Sequence, residues 1–153
     1  MKIGYFCNTT NWEKKSYTQI LEETRNIAIY CDKNKWESIW FTEHHFNHEG
    51  MENCTNPLMM STDIAARTKN IRIGQAANII TFHNPLRLAE DIATLDHLSN
   101  GRLEVGIGRG VYGREAIHMN VEADLKDQAK NKRLFEETLT IMKKAWTEEF
   151  FNH

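Results

Sequence analysis

A chain of 153 residues is long enough for one compact domain with a real core, and 41% apolar with 26% charged residues is the composition of a soluble globular protein. Nineteen basic residues stand against 21 acidic ones, a net charge of −2 with no basic block, so nucleic-acid binding has no support. No apolar run approaches the ~20 residues a membrane-spanning helix requires.

The start, Met1-Lys2-Ile3-Gly4-Tyr5-Phe6, enters an apolar strand at once and leaves no room for a signal peptide. Cys7, Cys31 and Cys54 are odd in number and widely spaced, and read as free thiols of a reducing cytoplasm. Ser16 with Gln19 three residues later is a capping-box pattern, so a helix is predicted from there. Its inward stripe is Tyr17, Ile20, Leu21, Ile27, Ala28 and Cys31. A second strand is predicted over Ser38 to Thr42.

That strand ends in the stretch on which the functional reading turns. Ile39-Trp40-Phe41 is a continuous apolar run, as in strands of parallel sheets buried on both faces, and Thr42-Glu43-His44-His45 follows it. Three titratable groups in succession would sit at the strand's C-terminal mouth, where α/β proteins do chemistry. Adjacent histidines on extended backbone point to opposite sides, so at most one of His44 and His45 faces a site. Two other readings stay open at this point: hydrogen-bonded structural histidines, and a metal held by His45 and His48. The metal reading lacks the three or four ligands zinc requires.

Asn56-Pro57 opens the next helix, expected to run to about Lys69. The third strand spans residues 71–80, and Gly74, Ala76 and Ala77 are small where a buried strand prefers bulk. Either a ligand approaches the backbone there or a large neighbouring side chain fills the space. Asn84-Pro85 repeats the helix start, Leu88, Ile92 and Leu95 face inward, and Asn100-Gly101 ends the helix. The fourth strand is Leu103 to Ile107, running into Gly108-Arg109-Gly110. A polar connector over residues 111–123 precedes a last helix with Phe135, Leu139, Met142 and Trp146 as its stripe.

Strands beginning near residues 2, 37, 71 and 102 give the βα period of a parallel sheet. Gly108-x-Gly110-x-x-Gly113 fits the dinucleotide fingerprint in letters only, because it follows the fourth strand and leads into a predicted loop. What that stretch retains is a cation, Arg109, among glycines at a strand mouth, suited to a phosphate.

Four motifs in register carry a resemblance. Glu43-His44-His45-Phe46, His83-Asn84-Pro85-Leu86-Arg87-Leu88-Ala89-Glu90-Asp91, Leu95-Asp96-His97-Leu98-Ser99-Asn100-Gly101-Arg102-Leu103 and Gly106-Ile107-Gly108-Arg109-Gly110 resemble the bacterial luciferase-like flavin monooxygenases along essentially the whole chain. Glu-His-His is more like the catalytic luciferase subunit than its partner, which carries Glu-Asn-His. The resemblance implies a TIM-barrel fold and reduced FMN from a separate reductase. It also implies oxygen chemistry on a small organic substrate such as an aldehyde. His44 then matches the catalytic histidine that assists proton transfer at the oxygenated flavin. Ala76 and Ala77 match the pair under the isoalloxazine ring, joined in that subunit by a non-proline cis peptide. Arg109 matches an arginine near the FMN phosphate, and Phe6 lies where the first strand meets the ring. Phe6, His44, Ala77 and Arg109 are expected at the C-terminal ends of the strands.

Two features depart from the family. Gly108 stands where the luciferase subunit has a reactive cysteine, which bears on light emission more than on flavin chemistry. A TIM barrel also has eight strands in about 250 residues, and four are predicted here. The expectation is one luciferase-like domain over 1–153, truncated to (βα)4 and completed by a C-terminal half or by a homo- or heterodimeric partner. Three functions follow: an FMN-dependent monooxygenase module, a non-catalytic flavin-binding or partner-stabilising half-barrel, or a deazaflavin-dependent oxidoreductase.

Overall fold

The computed structural model describes residues 1–47 and 52–153. Among them, strands and helices alternate: β1 (Gly4–Cys7), α1 (Tyr17–Lys33), β2 (Ser38–Phe41), α2 (Pro57–Arg67), β3 (Arg72–Ile79), α3 (Pro85–Leu98), β4 (Leu103–Gly108), α4 (Gly113–Met119) and α5 (Gln128–Thr147). The strands form one parallel sheet in the order β1-β2-β3-β4, the α/β architecture expected from the βα period. His44 to Asn47 lie outside any helix, and His48 falls outside the described residues. None of the described helices is long and apolar enough to cross a membrane. Two compact units make up the chain: Met1–Asn78 with Leu95–Gly106, and Ile79–Thr94 with Ile107–His153.

In the first unit the predicted caps form. Ser16 Oγ accepts from the Gln19 N–H while the Gln19 side chain accepts from the Ser16 N–H at 2.9 Å, a reciprocal capping box. Asn56 Oδ1 accepts from the Met59 N–H at 2.9 Å, with Pro57 in the first helical position. The buried stripe of α1 is Ile20, Thr24, Ala28 and Cys31. Tyr17, expected inward, is exposed in the solvated first turn of α1, and the inward position two turns on belongs to Thr24. α2 ends at Arg67, two residues short of expectation, because the Thr68 hydroxyl turns back to the Ile64 carbonyl at 2.8 Å. All three cysteines are free and buried.

Polar clasps hold the ends of these elements. The Asp32 carboxylate accepts from the backbone N–H groups of Lys69, Asn70 and Ile71 at 2.8–3.1 Å. Burial pushes the Asp32 carboxyl up, but those three donors outweigh it and hold it below its ordinary value. Arg25 Nε meets Asp63 Oδ2 at 2.7 Å, tying α1 to α2, and that guanidinium lowers the Asp63 carboxyl. Arg102, inside the third family-like motif, spreads its guanidinium over the Ser99, Ile71 and Ala65 carbonyls and the Thr68 hydroxyl at 2.7–3.1 Å. At the end of α3, Asn100 and Gly101 both take positive φ, 56° and 72°.

In the second unit, β3 gives way to a 3-10 turn over Ile80–Phe82, and Asn84 Oδ1 caps α3 by accepting from Leu86 and Arg87 at 3.0 and 3.1 Å. The predicted connector over 111–123 contains structure instead: α4, then a 3-10 turn over Val121–Ala123. Its N-cap, Tyr112, makes no side-chain cap, which is why no start signal was visible. Packing supplies the stability, with Ala116 and Ala123 buried against Ile79 and Phe82 and flanked by Met119, Leu125 and Leu134. Gly113 therefore does open a helix, although of only seven residues. The buried line of α5 is Asn131, Thr138 and Met142, and the indole of Trp146, 42% exposed, donates to the Ala89 carbonyl at 3.0 Å.

Candidate active site

The segment after β2 is held by its neighbours. The His44 N–H donates to the Cys54 carbonyl at 2.9 Å, and Asn53 donates to the Thr9 carbonyl through Nδ2 at 3.0 Å, joining this loop to the one after β1. β2 ends at Phe41, and beyond it the two histidines take different carboxylate partners. His45 Nε2 lies 3.1 Å from Glu43 Oε1, both groups buried, Glu43 at 1% exposure. His44 Nε2 lies 3.3 Å from Glu52 Oε1, with its side chain 12% exposed. Burial pushes the Cys54 thiol up to about 12, with smaller contributions from Cys7 and Glu43. Glu52 was invisible in the sequence, since it pairs across residues 48–51 with no periodic spacing to mark it. No group of three or more His, Cys, Asp or Glu suited to a metal ion occurs among the described residues, and His48 lies outside them.

Beside this segment, cross-strand register sets Phe6, Trp40 and Gly74 in one row of the sheet. The Trp40 indole lies over Gly74 so closely that any β-carbon there would overlap its six-membered ring, while its Nε1 donates to Ser38 Oγ at 2.8 Å. The open question about small residues in β3 thus divides. A large neighbour explains Gly74, whereas Ala76 is exposed and Ala77 half-buried. The Ala76–Ala77 peptide is cis. Phe6 is 55% exposed. Phe6, Ala76 and Ala77 therefore lie toward the C-terminal ends of their parallel strands, and His44 follows β2.

Arg109 belongs to the second unit and immediately follows β4, with its side chain half-buried. Its carbonyl accepts from Thr81 Oγ1 at 3.2 Å and from Asn131 Nδ2 at 3.3 Å. Gly110 takes φ +88°, and a β-carbon there would sit 3.3 Å from the Phe82 ring. In the sequence Asn131 is one of several polar residues of the last helix. Its position, seven and eleven residues before Thr138 and Met142, is the signal that could have found it.

A parallel βα sheet with a carboxylate–histidine cluster just beyond a strand end is, as a class, an α/β architecture with titratable groups at the end of the strands where such folds carry their sites. The model of the luciferase-like monooxygenase family matches residues 1–153, and the chain belongs to that family. It is 31% identical over 148 residues to an alkanal monooxygenase beta chain of Vibrio harveyi, covering 96% of this chain and 43% of that one. It is 30% identical over 115 residues to an alkanal monooxygenase alpha chain of Photorhabdus laumondii, covering 75% of this chain and 32% of that one. Among solved structures, the oxygenating constituent of 3,6-diketocamphane monooxygenase of Pseudomonas putida, in complex with FMN, superposes with a TM-score of 0.92 at 26% identity. All of this chain and 41% of that one are covered. An F420-dependent secondary alcohol dehydrogenase shares the fold, with a TM-score of 0.75 at 21% identity over 99% of this chain and 44% of that one. The chain thus spans less than half the length of these relatives.

Proposed function

We propose that this chain supplies the flavin-facing part of an FMN-dependent monooxygenase that uses reduced flavin and O2 on a small organic substrate such as an aldehyde. It does so within a single luciferase-like barrel domain, completed by a C-terminal half or a dimer partner. The observation that carries the reading is the uncovered end of the sheet, where Phe6 and Ala76 stay exposed beside a row otherwise filled by Trp40. An exposed, sparsely filled row of the sheet suits an isoalloxazine ring, a histidine paired with a carboxylate follows β2, and Arg109, in the second unit, suits a phosphate. Further support comes from the likeness to an FMN-complexed monooxygenase constituent. Bound reduced FMN would supply the electrons that activate oxygen.

The chain's own residues would then divide the work. Ala76, Ala77 and Phe6 would hold the ring, and Arg109 would meet the phosphate. His44, paired with Glu52, would hold or move a proton. His45 is occupied by buried Glu43 and serves the loop's structure.

Titrating the purified chain with FMN, reduced FMN and a deazaflavin tests cofactor choice, and oxygen uptake with a flavin reductase tests turnover. Hydride transfer to a deazaflavin without oxygen uptake would replace this reading by the oxidoreductase one. Flavin binding without turnover in the completed barrel would replace it by the non-catalytic one. In the assembled enzyme, His44→Ala lowers turnover about 10²–10⁴-fold, the range for a general acid or base, with little change in FMN affinity. His45→Ala instead takes a partner from Glu43, costs about 1–3 kcal/mol, and shows first as a lower melting temperature. A stable His45→Ala protein without turnover, beside an active His44→Ala protein, would reverse the assignment.

A further inference from the structure

We infer that Asn131 and Thr81 are positioning residues that fix the backbone from which Arg109 reaches the flavin phosphate. The inference rests on the reading of Arg109 just given, and concerns side chains that never touch the ligand. Thr81 Oγ1 and Asn131 Nδ2 both donate to the Arg109 carbonyl, at 3.2 and 3.3 Å. Each donor is itself anchored. Asn131 Nδ2 also donates to the Ala123 carbonyl at 2.9 Å, and the Thr81 carbonyl accepts from Asn120 Nδ2 at 2.8 Å. The turn after β4 is thus gripped from α5 and from the 3-10 turn after β3, while Gly110 seats against Phe82 and Ile79.

The chemistry of Asn131 shows what it contributes. Its two near neighbours are carbonyls, which only accept, so the amide nitrogen must face them and the orientation is fixed. The remaining oxygen is buried with no hydrogen-bond partner among the described residues, in a residue of 0% exposure. An amide buried with its oxygen unsatisfied is a poor core filler, since an apolar side chain would leave no polar atom stranded. Its use lies in the two N–H donors, and one of them goes to Arg109. A guanidinium on a long flexible stem binds phosphate more tightly when its backbone origin does not move, because less freedom is lost on binding.

The test compares FMN with riboflavin, which lacks the phosphate, on whichever assembly binds flavin in the titration above. Affinities are read from quenching of flavin fluorescence, together with melting temperatures. Arg109→Ala removes the preference for FMN over riboflavin. Asn131→Leu and Thr81→Val each reduce that preference by about 3- to 10-fold, the worth of one modest hydrogen bond, with riboflavin affinity unchanged. Equal weakening of both flavins, or a fall in melting temperature alone, would mean that these residues only pack, and would overturn the inference. An unchanged preference in Arg109→Ala would instead overturn the phosphate role of Arg109 itself. If Asn131→Leu does not fold, Thr81→Val, a near-isosteric change, decides the matter.

Discussion

The two faces of the β1–β2–β3 sheet are built on opposite principles. On one, Ile39, Phe41, Ile73 and Gln75 are all at 0% exposure, and α1 and α2 pack against β2. Even the polar member is satisfied, as Gln75 Nε2 donates to Ser61 Oγ on α2 at 2.9 Å. On the other, residues of the same strands are Gly4, Phe6, Ser38, Trp40, Gly74 and Ala76, and the bulk is supplied by one indole. The first face fills volume and the second preserves it. Among the described residues, that sparse side is where Phe6 and Ala76 stay exposed.

The contrast is sharpest between two phenylalanines. Phe41→Ala empties a fully buried site and is expected to cost about 3–5 kcal/mol. Phe6→Ala, at a half-exposed site, changes stability by under about 1 kcal/mol and weakens flavin binding. Chemical denaturation of both variants decides; equal losses would mean that the two faces do not differ as described. Next in size is Gly74→Ala, whose new methyl collides with the Trp40 indole and costs about 1–3 kcal/mol. Trimming Trp40 to leucine in the same protein should recover part of that loss, and a double-mutant cycle with no coupling would break the account of why residue 74 is small.

The smallest effect concerns the clasps at the edges of the packed face. Asp32 and Asp63 are both held below the ordinary carboxylate value of 3.8. A depressed folded value means stability that is fully present above 3.8 and lost as pH falls through the lower folded values. Denaturation midpoints should therefore decline from about pH 4 downward. Asp32→Ala costs about 1 kcal/mol at neutral pH, a modest figure because the carboxylate is partly solvated, and flattens that decline. An unchanged acid profile in Asp32→Ala would show that the clasp contributes nothing.

The packed face was the legible one. Ser16 with Gln19, Asn56 with Pro57 and Asn84 with Pro85 are local rules, and each forms the cap its spacing announces. Apolar periodicity found Ile20, Ala28, Leu88, Ile92 and Leu95, all buried. It failed where solvent decides, exposing Tyr17 and burying Thr24, and where a helix owes its existence to packing alone, as α4 does over Ala116. The strand ends were legible as places, because a run such as Ile39-Trp40-Phe41 must stop where titratable residues begin. Their partners were not. Glu52 meets His44 from eight residues on, and Asn131 reaches Arg109 from 22 residues away, through contacts that only the folded backbone creates.

The buried thiol of Cys54 makes the loop after β2 its own chemical clock. With a pKa near 12, only about one molecule in 10⁴ carries the thiolate at pH 8 while the loop stays closed. An alkylating reagent must therefore wait for the residues around Cys54 to open, and the rate at which this sulfur is captured, followed by mass, times that opening with no probe added to the protein.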